Sequence, residues 1–334
     1  MNTYRYRPVA YFAATYFFTW ALWFAAAAMG PNALAEGPAG LLMVAGLTVP
    51  GFVGLAVVLT SKSRPLKDTY RKTILSFSAI NWKVLGLACL LYLACVATSI
   101  VLSCACGQSL NQFSWAEGFS FADGGAMALA TLVLAAILEE WGWRGYGEDS
   151  IADRCSWFSA SIVFGVVWSL WHLPLFLIGG TYQNTLTMMG PLYVANFFIS
   201  GLPLTFILTW VYVKSDRSMA SVVLLHFFVN FCQEKIALTP ETKCIETLVV
   251  LVLAVCVVLA NRDLFFSRNH IGKLASGPRQ MCSNARAASA GFSKTCASPR
   301  TSANAHAAST AKPAPWPPEA NSQNTRMLIA APRK

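Results

Sequence analysis

The sequence predicts an all-α protein: a polytopic transmembrane bundle of about eight helices, both termini in the cytoplasm, followed by a disordered C-terminal tail. Hydrophobic residues make up 55% of the 334 residues and charged residues only 12%. That charge content is too low for the surface of a soluble protein of this size. Uncharged runs long enough to cross a bilayer recur along the chain, and Lys and Arg concentrate on one side of them.

The helices follow from these runs in order. Between Cys155 and Val213, His172 is the only Asp, Glu, Lys, Arg or His residue, and the polar stretch GGTYQNTLTMMGP divides that segment into helices five and six. The fourth helix begins at Gly124 and continues into ILEEWGWRGYGED. The other predicted spans are residues 9–29, 39–60, 84–106, 219–238 and 245–260.

Orientation is predicted from the basic residues, because short basic connections stay in the cytoplasm. In an eight-helix chain the basic N-terminus, the loop SKSRPLKDTYRK, the KSDR turn and the basic C-terminal segment all fall on one side. Lys235 and Lys243 fall on the other side. Both termini are therefore predicted to be cytoplasmic.

Three regions are predicted: helices one to three in residues 1–120, a core with helices four to eight in residues 121–266, and a tail in residues 267–334. From Arg268 onward the chain has ten Lys or Arg against one Glu, is rich in Ala, Ser and Pro, and shows no helical or strand period, which is typical of disorder. The ten cysteines include no C-x-x-C pair, and we find no nucleic-acid patch. The partner expected from these features is the lipid bilayer, not nucleic acid.

The first polar cluster is the pair of glutamates that ends an apolar segment. A charge near hydrocarbon is costly, so such residues indicate function. Successive helical residues point about 100° apart, so Glu140 faces Arg144 four residues on and Glu139 faces elsewhere. Glu139 is therefore the candidate general base. The alternative, that both glutamates cap an interfacial helix end, is weakened because acids at a helix C-terminus oppose the dipole.

Two further clusters lie on later helices. His172 follows Trp168 by four residues, and the alternative to a functional role is a hydrogen-bonded packing histidine. Asn230 follows His226 by four residues, so an imidazole and a carboxamide share one helical face and could hold an oxyanion. The alternative is an interhelical hydrogen-bond pair.

The three clusters together read E-E-x-x-x-R, W-x-x-x-H and H-x-x-x-N. In this order they closely resemble the CPBP family of intramembrane proteases, which includes the type II CAAX prenyl endopeptidases and the Abi, bacteriocin-immunity-associated proteins. The family pattern has Phe where this chain has Trp168. The resemblance covers helices four to seven and implies an intramembrane endopeptidase acting on prenylated or other membrane-associated C-terminal peptides. It implies a catalytic group of Glu139, His172, His226 and Asn230, supported by Glu140, Arg144 and Trp168.

In that family the first glutamate activates water and the later histidine and asparagine hold the oxyanion. Members are often called metalloproteases, and Glu139, His172 and His226 could supply three zinc ligands. No H-E-x-x-H pair preorganises them, so no cofactor is favoured and zinc is the alternative. The competing functions are a proton-coupled transporter, which also uses intramembrane Glu and His, and a non-catalytic immunity or scaffold member of the same family.

One geometric conflict needs a solution. His172 lies about 22 Å into helix five if that helix starts at Trp157, whereas Glu139 lies near the end of helix four. We therefore expect helix four to continue through WGWRGYG into the cytoplasm and helix five to begin outside the bilayer. The expected location is the plasma membrane, with an active-site cavity open to the cytoplasm.

Overall fold

A computed structural model describes residues 4–30, 38–74, 76–119 and 126–276, and within them the fold is an all-α bundle, as predicted. An isolated antiparallel bridge joins Trp115 to Ile236. The α-helices are α1 (Pro8–Ala27), α2 (Ala39–Thr60), α3 (Arg64–Ile74), α4 (Trp82–Ala105), α5 (Ala126–Gly142), α6 (Asp149–Ala152), α7 (Trp157–Trp171), α8 (Tyr182–Met189), α9 (Pro191–Lys214), α10 (Met219–Lys235), α11 (Pro240–Ala260) and α12 (Arg262–Phe266).

Six of the described helices are long and apolar enough to cross a membrane: α1, α2, α4, α7 with its 3-10 extension to Leu177, α9 and α11. Leu41 on α2 and Leu90 on α4 are 75% and 65% exposed, as expected for side chains that face lipid. The remaining long helices, α5 and α10, have 17 residues each; α5 carries Glu139 and Glu140, and α10 carries His226 and Asn230. The protein is an integral, multi-pass membrane protein.

Two segments expected to be connections contain helices. SKSRPLKDTYRK forms much of α3, which buries Leu66, Tyr70 and Thr73 on one face and leaves its basic residues outside. The spacing of these three residues, four and then three apart, is the helical signal that the basic composition concealed. GGTYQNTLTMMGP contains α8, where the Thr181 side chain accepts a hydrogen bond from the Asn184 backbone N–H at 3.0 Å.

The crossing of α2 and α5 positions the glutamate pair. A Cβ atom on Gly142 would lie 2.1 Å from the Pro50 carbonyl oxygen, and one on Gly51 would lie 2.4 Å from the Leu138 carbonyl oxygen. Only residues without a side chain allow two backbones to approach this closely. Because this contact lies within one turn of Glu139, α2 sets the position of Glu139 in the bundle.

The helix that carries Glu139 does not end at Gly142. Trp143–Glu148 continue it as a π-helix, and α6 extends it to Ala152, as expected from the sequence. The wide turn leaves carbonyl groups for side chains: Tyr70 donates to the Trp141 oxygen at 3.0 Å, and the Tyr212 hydroxyl lies 3.2 Å from the Arg144 oxygen. From Glu139 to Ala152 the path rises about 20 Å, close to the rise of α7 before His172, so the two residues reach the same depth.

The described core extends past residue 266, where the tail was expected to begin. His270 stacks on Trp157 with ring centroids 5.1 Å apart. The Leu274 backbone N–H donates to Asp153 at 3.2 Å, and its carbonyl accepts from Arg217 at 3.0 Å. Residues 267–276 therefore pack against the bundle. The rest of the predicted tail, residues 277–334, lies outside the described residues.

Candidate active site

The three polar clusters meet at one cavity of about 340 Å³ inside the bundle. This volume lies within the range of small-molecule and peptide-side-chain pockets. All four candidate catalytic residues line it: Glu139, His172, His226 and Asn230. Glu139 and Asn230, which are 91 positions apart in the chain, thus line the same cavity. The packing of several helices is needed to form it.

Trp168 lies at the centre of this group. Its indole Nε1–H donates to Glu139 Oε2 at 3.3 Å, and Glu139 is only 4% exposed. The same ring packs edge-on against both imidazoles, with centroids 5.9 Å from His172 and 5.6 Å from His226. The Phe of the family pattern could form the aromatic wall but could not donate this hydrogen bond. The substitution therefore adds a direct contact to the candidate base.

His172 ends α7, because the Pro174 ring two residues later is incompatible with further α-helix. Its Nδ1 lies 2.9 Å from the Trp168 carbonyl oxygen. A carbonyl can only accept, so this contact assigns the proton to Nδ1 and leaves the Nε2 lone pair free to accept a hydrogen bond in the neutral ring. Both His172 and Glu139 line the cavity.

His226 is held by the second glutamate. Its Nδ1 lies 2.7 Å from Glu140 Oε1, and Glu140 also pairs with Arg144, whose Nη1 lies 3.2 Å from Oε2. Glu140 and Arg144 are both completely buried, and their predicted pairing is observed. Since Nδ1 is engaged by Glu140, Nε2 is the ring nitrogen of His226 that can contact a substrate.

The ion network continues to residues that the sequence analysis missed. Arg144 Nε lies 3.3 Å from Glu148 Oε2, and Thr209 donates to Glu148 Oε1 at 2.5 Å. Glu148 repeats the four-residue spacing after Arg144, so this signal was present in the sequence. A second pair joins Asp149 to Arg217, which lies between α9 and α10. No local pattern could have indicated that pair, because it joins distant segments.

The described residues do not form a preorganised zinc site. Among them, no group of three or more His, Cys, Asp or Glu side chains is placed to hold a metal ion. His226 Nδ1 and Glu139 Oε2 are also occupied by Glu140 and Trp168. A catalytic zinc normally takes three protein ligands, which this arrangement does not offer.

The cavity lies in one half of the bundle, which we call the cavity end. Its lining comes from the C-terminal ends of α7 and α10 and the N-terminal halves of α9 and α11, including Asn196, Gln233 and Lys243. The basic loops lie at the opposite end, with Lys62 and Arg154 beside the N-terminal residues around one groove. A cavity that opened along the bundle axis would therefore open on the side opposite to the N-terminal residues. With the termini in the cytoplasm, such a cavity could not open to the cytoplasm.

Comparison with known proteins gives the family. The family described as type II CAAX prenyl endopeptidase Rce1-like matches residues 122–232, the range that contains all seven candidate site residues. CAAX prenyl protease 2 of Methanococcus maripaludis is 37% identical over 268 residues, which cover 80% of this chain and 99% of the relative. The chain belongs to this CAAX prenyl endopeptidase family.

Membership confirms the resemblance inferred from the three motifs. The protein is thus a membrane-embedded peptidase of the CAAX-protease type. The match to the relative spans most of the chain, whereas the motif resemblance covered helices four to seven.

Proposed function

We propose that the protein hydrolyses a peptide bond in prenylated or other membrane-associated C-terminal peptides, with water activated by Glu139. One observation carries this proposal. Of two adjacent glutamates, Glu140 is bound by Arg144 and His226, whereas Glu139 lines the cavity and accepts a hydrogen bond from the neutral indole N–H of Trp168. A carboxylate with no cationic contact, beside an imidazole lone pair, is suited to act as a general base.

The reaction follows from these positions. Glu139 takes a proton from water while His172 Nε2 accepts the hydrogen bond of the second O–H. The resulting hydroxide adds to the scissile carbonyl carbon. The charge that develops on its oxygen is met by the Asn230 amide N–H and by Nε2–H of His226 in its imidazolium form, which the Glu140 carboxylate stabilises through Nδ1. Glu139 then returns the proton to the amine nitrogen as the carbon–nitrogen bond breaks. The products are a new carboxylate and a free amine.

The cavity lining supports an apolar, lipid-bearing substrate. The relative from Methanococcus maripaludis is named as a prenyl protease. In this chain Met43 and Leu47 of α2 and Phe197 and Leu204 of α9 line the cavity beside the polar group. A prenylated cysteine followed by a short C-terminal peptide combines an apolar chain with a peptide bond to be cut, which matches this division.

The membrane proposed is the plasma membrane, with the basic end of the bundle in the cytoplasm as the positive-inside rule requires. Because the cavity is at the other end, we propose that the lipidated peptide enters laterally from the bilayer rather than along the bundle axis. The apolar chain of such a substrate is already dissolved in the lipid.

The test is the variant Glu139→Gln, which removes the base and keeps the size of the side chain. We expect a loss of at least about 100-fold in kcat/KM with an unchanged melting temperature in detergent. The assay incubates purified protein with farnesylated and unlipidated C-terminal peptides and detects the products by mass spectrometry. Glu117→Gln, a change of an exposed glutamate, is the matched control.

Normal turnover by purified Glu139→Gln protein would refute the glutamate mechanism. The same assay separates the competing functions. An immunity or scaffold member would bind peptide without cleaving it. A transporter would move protons when reconstituted in vesicles. The 37% sequence identity to the CAAX prenyl protease 2 of Methanococcus maripaludis favours the peptidase.

A further inference from the structure

The far end of the cavity holds a lysine that the catalytic arrangement does not use. Among the described residues that line the cavity, Lys243 is the only Lys or Arg. It is also one of the two lysines that depart from the basic pattern of the sequence. Lys243 lies in the first turn of α11 and is half-buried, and an ammonium group that lines a cavity is costly to desolvate, so such a group indicates a functional site when no structural pairing accounts for it.

The hydrogen bond that this ammonium group makes with the protein is long. Lys243 Nζ donates to the Gln233 carbonyl oxygen over 3.4 Å and lies 4.4 Å from the ring centre of Tyr182. An ammonium has three N–H donors, so room is left for a further acceptor.

A buried carboxylate on the same helix as Lys243 is occupied by neutral donors. Glu246, three residues after Lys243 on α11, accepts from the Tyr92 hydroxyl at 2.9 Å and from Gln233 Nε2 at 2.8 and 2.9 Å. Glu234 also lines the cavity, and both carboxylates attract Lys243 electrostatically. This attraction offsets part of the cost of the charge.

The distance from the catalytic group to Lys243 matches a short peptide. His226, Asn230 and Gln233 follow one another on the face of α10 that lines the cavity. The seven residues from His226 to Gln233 rise about 10 Å, and Lys243 lies at the Gln233 end. Three extended peptide residues also span about 10 Å. In a C-a-a-X peptide three residues follow the prenylated cysteine, and the last of them carries the free α-carboxylate.

We infer that Lys243 binds the α-carboxylate of the substrate and so sets how far from the C-terminus the bond is cut. This inference rests on the proposed function, because it takes His226 and Asn230 as the position of the scissile carbonyl. The ammonium contributes charge-assisted hydrogen bonds to a carboxylate in a site of low dielectric. The carboxylate in turn accepts from the N–H groups of Lys243 that do not donate to Gln233.

The experiment compares one farnesylated C-a-a-X peptide with a free C-terminal acid and the same peptide as a C-terminal amide. Wild-type protein should cleave the acid with about 10- to 100-fold higher kcat/KM. Lys243→Met should reduce this acid-to-amide ratio to about one, and Lys243→Arg should retain a preference for the acid. Inserting two glycines before the C-terminal carboxylate should weaken the preference of wild-type protein for the acid. The longer peptide would place the carboxylate beyond the ammonium group of Lys243.

Lys235→Met is the matched control. Lys235 donates to the backbone oxygens of Ala116 and Gly118 and does not line the cavity, so the ratio should be unchanged. A merely structural role of Lys243 would lower cleavage of acid and amide alike. Equal cleavage of the two peptides by wild type, or an unchanged ratio in Lys243→Met, would overturn the inference and leave the proposed function standing.

A binding measurement separates the two proposals. Fluorescently labelled acid and amide peptides are titrated into Glu139→Gln protein, with and without Lys243→Met, so that turnover is not needed. Tighter binding of the acid that depends on Lys243 supports the carboxylate site even if wild type cleaves neither peptide, in which case only the proposed function fails. Equal affinity for both peptides refutes the carboxylate site.

Discussion

Glu139 and Glu140 are adjacent residues with different partners. The helix turns Glu140 toward Arg144 and His226, so its negative charge is used to hold other side chains. It turns Glu139 toward Trp168 and the cavity, where its carboxylate can meet a substrate. Two identical side chains thus acquire two roles from a rotation of about 100°.

Metal dependence is the residue-scale prediction. The described donors do not form a three-ligand zinc site, and Glu139 can activate water without a metal. We therefore expect protein stripped with a strong chelator, and shown by elemental analysis to lack zinc, to retain most of its peptide cleavage.

The opposite result would be loss of cleavage on stripping and its return with one equivalent of zinc. Glu139 and the two histidines would then be ligands, and the metal would activate the water. Glu139→Gln protein loaded with zinc serves as the control, because a ligand change would also lower the zinc content.

At the scale of elements, the long path of α5, the π-helix and α6 organises the site. Its close crossing with α2 positions Glu139, and its π-helical turn buries Arg144 between Glu140 and Glu148. The Arg144 guanidinium also lies 4.6 Å from the ring centre of Phe164 on α7. One arginine therefore joins two glutamates of its own helix to the helix that carries Trp168 and His172.

The element-scale prediction is that Arg144→Met lowers both stability and activity. It leaves two completely buried glutamates without their cation, which should cost about 3–5 kcal/mol in the free energy of unfolding. The measurement is the melting temperature in detergent together with peptide cleavage. Arg71→Met, at an exposed position on α3, should change neither. Equal melting temperatures for Arg144→Met and wild type would show that the pair is solvated.

At the scale of the whole molecule, the described bundle has a basic end and a cavity end. Lys62, Arg64 and Arg154 line a groove at the basic end with the N-terminal residues, whereas the cavity is lined by residues of the other half. This polarity bears on how the protein lies in the membrane, because basic loops face the cytoplasm.

The corresponding prediction concerns two short protease-cleavable tags, one inserted after Ser61 and one after Gly107. Ser61 follows α2 at the basic end, and Gly107 follows α4 at the cavity end in open space. In intact cells, external protease should cut the tag after Gly107 and spare the tag after Ser61. Inside-out vesicles should show the reverse pattern. If the Ser61 tag is cut in intact cells, the cavity faces the cytoplasm and the predicted orientation of the termini is wrong.

The sequence alone determined the long apolar helices and the local pair of Glu140 with Arg144. A bilayer requires apolar runs of a given length, so α1, α2, α4 and α11 were visible as long, mostly apolar segments. The Glu140 and Arg144 pair was visible because residues four apart meet on any helix. The order of the three motifs was enough to indicate the family. Each of these features depends on neighbours in the chain or on the solvent, not on the fold.

Only the tertiary structure decided which distant side chains meet. The contacts of Trp168 with Glu139 and of His226 with Glu140, the Asp149 and Arg217 pair, and the position of Lys243 in the cavity depend on how helices cross. Crossing geometry is set by small residues and packing over many contacts, and it leaves no periodic signal in one segment. The π-helical turn was also hidden, because it is stabilised by hydroxyl groups from distant helices that bind its free carbonyls.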